Sequence, residues 1–201
     1  MEQLNPDGLL IASPAAIHTY SGGWITPLSP EPEMIKIEDI AHSLSNQCRF
    51  TGHTREFYSV GEHSIHCSDI VVDLHDLVGG DVIQELNQLR LAALLHDAAE
   101  AYLADLARPI KKAPGLGEIY LKVEGALEQV ICEKYGLPFP VLDGVIKEAD
   151  EVMLGNEIHQ LFGEEFSGRW HKPEIEVYVP QFDPGEAEEV FLNKFYEYGG
   201  K

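Results

Sequence analysis

The stretch LLHDAAEAYLAD, residues 94–105, combines a run of apolar side chains with four ionisable ones. The apolar positions predict a helix in the core of the fold, yet His96, Asp97, Glu100 and Asp105 interrupt them. Burying a charged group is costly unless a hydrogen-bond donor, an opposite charge or a metal compensates it. The stretch therefore predicts a central helix that carries part of a metal or catalytic site.

Helical periodicity continues on both sides of this stretch, and the predicted fold class is all-α, a helical bundle with a small N-terminal β-hairpin. The hairpin is expected around Gly22 and Gly23. One domain is expected over 1–201, with an N-terminal extension at 1–34, a core at 35–162, and a surface excursion and a last helix at 163–201. The central helix is expected from about Val82 to about Leu103, and further helices at about 59–74, 119–135, 142–162 and 184–198.

Composition excludes some classes of function. The chain has 14 Lys and Arg against 34 Asp and Glu, a formal charge of −20, which argues against binding a nucleic-acid polymer. No apolar run is long enough to span a bilayer, and the acidic start does not resemble a secretory signal, so a cytoplasmic location is expected. The three cysteines are odd in number and form no CxxC, which predicts reduced, mostly buried thiols and neither a disulfide nor a zinc-thiolate site.

Two further helices supply polar residues on apolar faces. Asp150 lies within the apolar stripe of the helix at about 142–162. Ser59 and Glu62 match a capping box, which places His63 in the first turn of another helix. With His96 and Asp97, these residues give two imidazoles and two carboxylates, a donor set that suits one divalent ion such as Mn, Fe, Co, Ni or Zn.

The chain resembles the HD-domain metal-dependent phosphohydrolases in the order His63, His96-Asp97 and Asp150. Three blocks carry a closer similarity, EDIAHSLSNQCRFTG at 38–52, FYSVGEHS at 57–64 and LLHDAAEAYLADL at 94–106. They resemble the YfbR- and YfdR-like 5′-deoxynucleotidase branch, which is related to phage dATP triphosphohydrolases. The similarity extends over about residues 18–162, because TYSGGW and PLSPEP near the N-terminus also resemble YfdR-like members.

The resemblance implies an HD-domain helical bundle and a role for each matching residue. His63, His96, Asp97 and Asp150 would bind one divalent metal. Glu100 would orient the attacking water, Asp105 would transfer a proton, and Arg49 would hold the substrate phosphate. By their positions, His53 and Lys111 are further candidates for a phosphate contact.

Helix geometry supports these roles unequally. Glu100 lies three residues after Asp97 and four after His96, so it shares their side of a helix. Asp105 lies eight residues after Asp97, ~12 Å along an unbroken helix. Asp105 can therefore reach the same site only if the helix ends or bends near Leu103.

The expected function is hydrolysis of a nucleotide phosphate, most simply the 5′-phosphate of a deoxynucleoside monophosphate. A dNTP triphosphohydrolase, for which Mg with a polyphosphate substrate would serve, is the alternative. A nucleotide-sensing module without catalysis is a third, although Glu100 and Asp105 argue against it. The expected partners are a small nucleotide and further copies of the chain, with the last helix as an interface. Membranes are not expected as partners, and a phage-encoded protein would act in the host cytoplasm.

Overall fold

The computed structural model describes residues 3–4, 10–11, 15–76, 83–141 and 144–201. Within these ranges the protein is mostly helical, which confirms the predicted fold class. Short 3₁₀ turns occur at Pro32–Met34 and Arg49–Gly52. The helices are α1 (Ile37–Asn46), α2 (Val60–Asp76), α3 (Ile83–Leu94), α4 (Glu100–Leu103), α5 (Arg108–Lys111), α6 (Leu116–Tyr135), α7 (Gly144–Leu161), α8 (Glu164–Ser167) and α9 (Pro184–Glu197).

The strands are short and lie near the N-terminus. Strand β1 (Gln3–Leu4) pairs with β2 (Leu10–Ile11), and β3 (Ile17–His18) pairs antiparallel with β4 (Trp24–Ile25). The second pair is the predicted hairpin, and its turn contains Gly22 at a φ of 83°. The backbone N–H and the hydroxyl of Ser21 donate hydrogen bonds to the Asp39 carboxylate, at 2.6 and 3.0 Å. These bonds fix the hairpin against α1.

The start of α2 agrees with half of the predicted capping box. The Ser59 hydroxyl accepts a hydrogen bond from the Glu62 backbone N–H at 2.9 Å, so His63 lies in the first turn as expected. The Glu62 carboxylate does not return to Ser59; it accepts the backbone N–H groups of Gln181 and Phe182, each at 2.8 Å. Glu62 therefore holds the chain segment that leads into α9.

The prediction of one continuous helix from 82 to 103 is wrong. Residues 77–82 lie outside the described part of the chain, and they include the sequence VGGD at 78–81, which predicts a break before the central helix. Helix α3 ends at Leu94, a series of turns covers 95–99, and α4 begins at Glu100. The linking hydrogen bonds are of the tighter three-residue type, from Ala98 N–H to the Leu95 carbonyl at 3.0 Å and from Glu100 N–H to the Asp97 carbonyl at 2.9 Å.

A side chain explains this change in winding. His96 Nδ1 donates a hydrogen bond to the Ala93 carbonyl at 2.7 Å. In an α-helix the same carbonyl would accept the N–H of Asp97. Here the imidazole replaces the Asp97 N–H as the donor to this carbonyl, and the backbone continues in tighter turns that present His96 and Asp97 at the end of α3.

The last helix completes the core. Phe191 and Phe195 of α9 are fully buried, and α9 packs against α1 and α2. A full capping box with Asp183 and Glu186 begins it. The apolar face that was expected to contact another copy is therefore occupied within the chain, and self-association stays a prediction.

The predicted excursion at 175–182 is extended but is not free. Asn156 of α7 donates to the Ile175 carbonyl at 2.8 Å and accepts the Val177 N–H at 2.9 Å. One turn later, Gln160 donates to the Val177 carbonyl at 2.6 Å and accepts the Val179 N–H at 3.0 Å. The two amides form a hydrogen-bonded ladder that holds this segment along α7.

Two expectations from the composition concern the membrane and the cysteines. Among the described helices, none is both long and apolar enough to cross a membrane. The three cysteines are free thiols; Cys67 and Cys132 are buried as expected, whereas Cys48 is exposed.

Candidate metal centre

The four predicted metal ligands meet at one point between α2, the turns after α3, and α7. His63 Nε2 lies 3.3 Å from His96 Nε2, 3.3 Å from Asp150 Oδ1 and 3.7 Å from Asp97 Oδ2. His96 Nε2 lies 3.3 Å from the same Asp97 oxygen. Donors bound at about 2.1 Å to one ion lie about 3.0–3.4 Å apart in octahedral or tetrahedral shells. The observed spacings therefore fit donors arranged around one divalent cation.

The cluster is buried on the imidazole side and open on the carboxylate side. The His63 side chain is 0% exposed and that of His96 is 1% exposed, whereas those of Asp97 and Asp150 are 19% and 15% exposed. A water or a substrate oxygen can reach the centre from this open side, as a catalytic metal site requires.

The ionisation of the cluster reflects its opposite charges. Burial alone would raise the pKa of Asp150, but the hydrogen bond and the charge of His63 lower the pKa to about 2. Burial alone would lower the pKa of His96, but the charge of Asp97 raises the pKa to about 9. A ligating imidazole must be neutral, so binding of a divalent cation would displace these imidazole protons.

Glu157 is the central hydrogen-bond acceptor behind the cluster. Its side chain is fully buried and receives hydrogen bonds from His63 Nδ1 at 2.5 Å, the Tyr58 hydroxyl at 2.9 Å and Arg49 Nη2 at 3.1 Å. Burial opposes ionisation, but the charges of Arg49 and His63 lower the pKa of Glu157 to about 2. Since an ionised carboxylate can only accept, His63 carries a proton on Nδ1, and Nε2, which faces the other predicted ligands, is the nitrogen that would lose its proton to bind a metal.

Cys67 adds a sulfur donor to this centre. It lies one turn after His63 on α2, and its Sγ is 3.5 Å from His63 Nε2. His63, Cys67 and His96 form a buried group that could hold a metal ion. The spacing of four residues on a helix brings Cys67 onto the same face as His63, so a thiolate ligand is geometrically available, and the expectation that no thiol belongs to a metal site stays a prediction.

Arg49 is already bound to carboxylates at the edge of the cluster. Its Nη1 lies 3.6 Å from Asp97 Oδ2 and its Nη2 bonds to Glu157, while its Nε is buried without a described partner. The residues that follow, Phe50 and Thr51, have φ values of 53° and 55°, an unusual pair of left-handed non-glycine residues. The left-handed turn aims the arginine at the centre.

Glu100 and Lys111 pair with each other. Lys111 Nζ donates to Glu100 Oε1 at 2.7 Å and to Glu124 Oε1 at 2.8 Å, so the cation expected to contact phosphate is engaged with carboxylates. Burial and the charge of Asp97 raise the pKa of Glu100 to about 8, although Lys111 acts in the opposite direction. Glu100 Oε2 is buried without a hydrogen bond in the described part of the chain.

The helix before Asp105 ends where a role for Asp105 at the centre required it to end. Helix α4 stops at Leu103, and Ala104, at a φ of 68°, redirects the chain. Burial raises the pKa of Asp105, while the charge of Arg49 lowers it and the charge of Asp97 raises it. Gln47 holds both proton-transfer candidates, since it accepts the Asp105 N–H at 3.1 Å and donates to the Glu100 carbonyl at 3.0 Å.

Other candidates lie at the margin of the centre or outside it. His53 is exposed, and among the described residues its side chain forms no hydrogen bond or ion pair with the four ligands. His66 is a buried histidine whose Nε2 lies 3.4 Å from Glu62 Oε1. Arg108, which is 49% exposed, lies 3.6 Å from Asp150 Oδ2 and donates to Glu151 Oε1 at 3.2 Å, so it is an ion-paired cation at the mouth.

The sequence indicates these additional residues unequally. Glu157 lies seven residues after Asp150 on the same apolar stripe, which predicts a carboxylate with a cation, a hydrogen-bond donor or a metal as partner, whereas Cys67, four residues after His63, carries no such signal. Gly61 permits the close contact between α1 and α2, since a Cβ there would lie 2.8 Å from Ser45 Oγ. No pattern indicated Tyr58 or Gln47.

Similarity to known proteins places the chain in a family. No protein-family model matches the chain. An uncharacterized protein named YfdR, from Escherichia coli (strain K12), is 36% identical over 184 residues, which cover 89% of this chain and 93% of that relative. The chain belongs to the YfdR family. An uncharacterized protein from Rhodobacter capsulatus is 36% identical over 148 residues, 71% of this chain and 71% of that protein. Membership of the YfdR family agrees with the coarser part of the resemblance described above.

Proposed function

We propose that this YfdR-family protein is an HD-domain, metal-dependent phosphohydrolase that removes the 5′-phosphate of a deoxynucleoside monophosphate, giving a nucleoside and inorganic phosphate. The observation that carries the proposal is the convergence of His63, His96, Asp97 and Asp150 next to Arg49: His63 Nε2 lies 3.3 Å from His96 Nε2 and from Asp150 Oδ1 and 3.7 Å from Asp97 Oδ2. Structural carboxylate pairs occur in many cores, but two imidazoles and two carboxylates from three separate segments with an open side are typical of a catalytic metal site.

The metal would be one divalent ion, such as Mn, Co, Zn, Fe or Ni, held by these four residues. When bound, such an ion lowers the pKa of a water ligand and polarises a phosphoryl oxygen. Arg49 would bind the substrate phosphate, since its planar donors suit phosphate oxygens and its present partner Asp97 would be shared with the ion. Glu157 would keep the Arg49 guanidinium in place while its second partner changes from Asp97 to the substrate phosphate.

Glu100 and Asp105 would handle the proton. The pKa of Glu100, raised by burial to about 8, lies near neutral pH, which suits a carboxyl that takes up and releases a proton from water. Asp105 has a pKa raised by burial and lies near Arg49, so it would donate to the leaving oxygen. Gln47 would hold the two carboxyl groups at a fixed separation through their backbone groups.

Arg108 favours one alternative substrate. Its half-exposed guanidinium at the mouth of the centre would suit the additional phosphates of a dNTP, in which case the reaction releases triphosphate. For this substrate, Mg is a further candidate ion.

A phosphate-release assay tests the proposal. Chelator-treated protein is incubated with each of several mono-, di- and triphosphates together with Mn, Co, Zn, Fe, Ni or Mg, and release is compared with that of Asp97→Asn. Glu148→Gln, an exposed acidic position on α7, is the matched control. We expect turnover in the wild type and in Glu148→Gln, and none in Asp97→Asn. Nucleotide binding without release under any metal would favour the sensing module and overturn the proposal.

A further inference from the structure

The peptide group that joins Ala104 to Asp105 is held at both of its polar atoms. The Tyr120 hydroxyl, on α6, donates a hydrogen bond to the Ala104 carbonyl at 2.7 Å. The Gln47 side chain, at the C-terminal cap of α1, accepts the Asp105 N–H through Oε1 at 3.1 Å. These two side chains, called here the peptide clamp (Gln47 and Tyr120), come from distant helices and fix the orientation of one peptide plane.

The backbone at Ala104 is strained. Its φ of 68° and ψ of 154° lie in a region that residues other than glycine rarely adopt. The Ala104 side chain is exposed, so packing around its methyl group does not explain this conformation. The Ala104 N–H donates to the Glu100 carbonyl at 2.8 Å, so hydrogen bonds hold the backbone on both sides of the strained residue. Strain of this kind persists only where surrounding contacts maintain it, and it is concentrated at functional sites.

The position of Tyr120 follows from the close packing of α5 and α6. A Cβ on Gly117 would overlap the Lys111 carbonyl, so glycine at 117 permits the approach that brings Tyr120 over the end of α4. Lys111 Nζ lies 5.4 Å from the Tyr120 ring centre and also donates to Glu100. Burial and the charge of Glu124 raise the pKa of Tyr120, so its hydroxyl stays protonated and remains a donor.

We propose that Tyr120 and Gln47 are positioning residues that orient the Asp105 carboxyl towards the leaving oxygen, an inference that rests on the proposed phosphohydrolase function. In that reaction a water oxygen bonds to phosphorus and passes its proton to Glu100, the bond from phosphorus to O5′ breaks, and O5′ takes a proton from Asp105. A peptide plane held at both ends fixes the direction of the Asp105 side chain before the substrate binds. Such pre-orientation matters because a displacement of about 1 Å can lower a rate about 100-fold.

The kinetic test uses Tyr120→Phe, which removes the hydroxyl and keeps the ring beside Lys111. Because the proton donor would be displaced and not lost, we expect kcat for a deoxynucleoside 5′-monophosphate to fall about tenfold with KM unchanged. The comparison substrate carries sulfur in place of the bridging 5′ oxygen, and the thiolate leaves without a proton because a thiol is much more acidic than an alcohol. On this substrate Tyr120→Phe should turn over at the wild-type rate.

The control and a second variant keep the kinetic test decisive. Tyr178→Phe, at a tyrosine that is 78% exposed, should behave as wild type on both substrates. Gln47→Met removes the other half of the clamp and should show the same dependence on the leaving group, although Gln47 also bonds to the Glu100 carbonyl. Equal losses on the oxygen and sulfur substrates indicate a general structural defect and overturn the inference, as does an unchanged kcat on both.

Hydrogen exchange of the Asp105 amide, followed by NMR in metal-free protein, tests the clamp without turnover. Tyr120 bonds to the other end of this peptide group, so a faster exchange in Tyr120→Phe reports rotation of the plane. We expect about fivefold faster exchange than in the wild type, and an unchanged rate would overturn the inference. Phosphate release by the wild type with no clamp effect rejects the positioning role alone. Faster exchange without release by the wild type from any substrate rejects the hydrolysis, and the positioning role with it.

Discussion

Replacing Glu157 by glutamine should weaken metal binding although Glu157 is not expected to touch the metal. Three donors converge on this buried carboxylate, from Arg49, Tyr58 and His63. A glutamine side chain of the same shape has one oxygen and one NH₂ group, so at least one of the three donors would face another donor. The negative charge that favours the Nδ1 proton of His63 is also lost.

The size of the effect follows from these contacts. Loss of a partner that orients a metal-ligating histidine typically lowers metal affinity about 10- to 100-fold, which is about 1.4–2.7 kcal/mol. Removing one side of a buried ion pair costs about 3 kcal/mol of folding stability or more, and Arg49 keeps Asp97 at 3.6 Å as its remaining partner. For a domain of this size that cost lowers the melting temperature by about 6–12 °C.

Isothermal titration of chelator-treated protein with Mn or Zn measures the affinity, and circular dichroism at the same temperature shows that the variant is folded. Glu148→Gln, exposed on the same helix, is the control for loss of an α7 carboxylate. Tyr58→Phe removes one of the three hydrogen bonds and keeps the charge, so its affinity should stay within about threefold of wild type. Wild-type affinity in a folded Glu157→Gln protein would refute the idea that Glu157 orients His63.

Three further outcomes are expected. Cys67→Ser should lower the affinity for Zn or Co about tenfold more than that for Mn, because thiolate prefers softer ions; equal losses in metal titrations would exclude sulfur ligation. In metal-free protein, the pKa of Glu100 is raised from 4.5 to about 8, so the stability it contributes is present below pH 4.5 and is lost as the pH rises to about 8. The melting temperature of Glu100→Gln should therefore fall less between pH 6 and pH 8.5 than that of wild type, and parallel decreases would contradict the raised pKa. Asn156→Ala should destabilise the protein by about 2 kcal/mol and speed proteolysis within 175–182; cleavage at the wild-type rate would show that the ladder does not hold this segment.

The convergence of the four predicted ligands could be anticipated because a local signal marked each of them. His63 followed from an N-terminal helix cap, and Asp150 followed from an apolar stripe that a carboxylate should not enter. His96 and Asp97 stood out against their apolar neighbours. These signals depend on a few adjacent residues, so no knowledge of tertiary contacts was needed.

The break in the central helix could not be predicted from periodicity. Leu95, Ala98 and Ala99 are buried, so the apolar pattern continues through the turns. Windings of three and of 3.6 residues per turn give nearly the same pattern over so short a stretch. The deciding contact, from His96 to the Ala93 carbonyl, depends on the direction of one side chain.

The environment of Glu157 was equally hidden, because its partners Arg49 and Tyr58 are 108 and 99 residues away in the chain. The partners of Lys111 could not be predicted either, although they lie only 11 and 13 residues away in the chain. Its position after Pro109 suggested a free cation, and only the approach of Glu100 and Glu124 reveals that it is paired. Sequence patterns identify which faces are buried, whereas they do not reveal which buried groups meet.

The side-chain amides of Asn156 and Gln160 on α7 form the hydrogen bonds with the segment after Ile175 that the backbone of a neighbouring strand would form. Each amide brackets one residue, bonding to the carbonyl before it and the N–H after it, and both chains run in the same direction. This is the hydrogen-bond pattern of a parallel sheet. Four helical residues advance about 6.0 Å and two extended residues about 6.6 Å, so the two repeats nearly coincide for two rungs and then drift apart. One helical turn and two extended residues thus have nearly the same length over this short distance. One residue inserted between 175 and 179 would move the backbone groups of the segment away from the Gln160 amide.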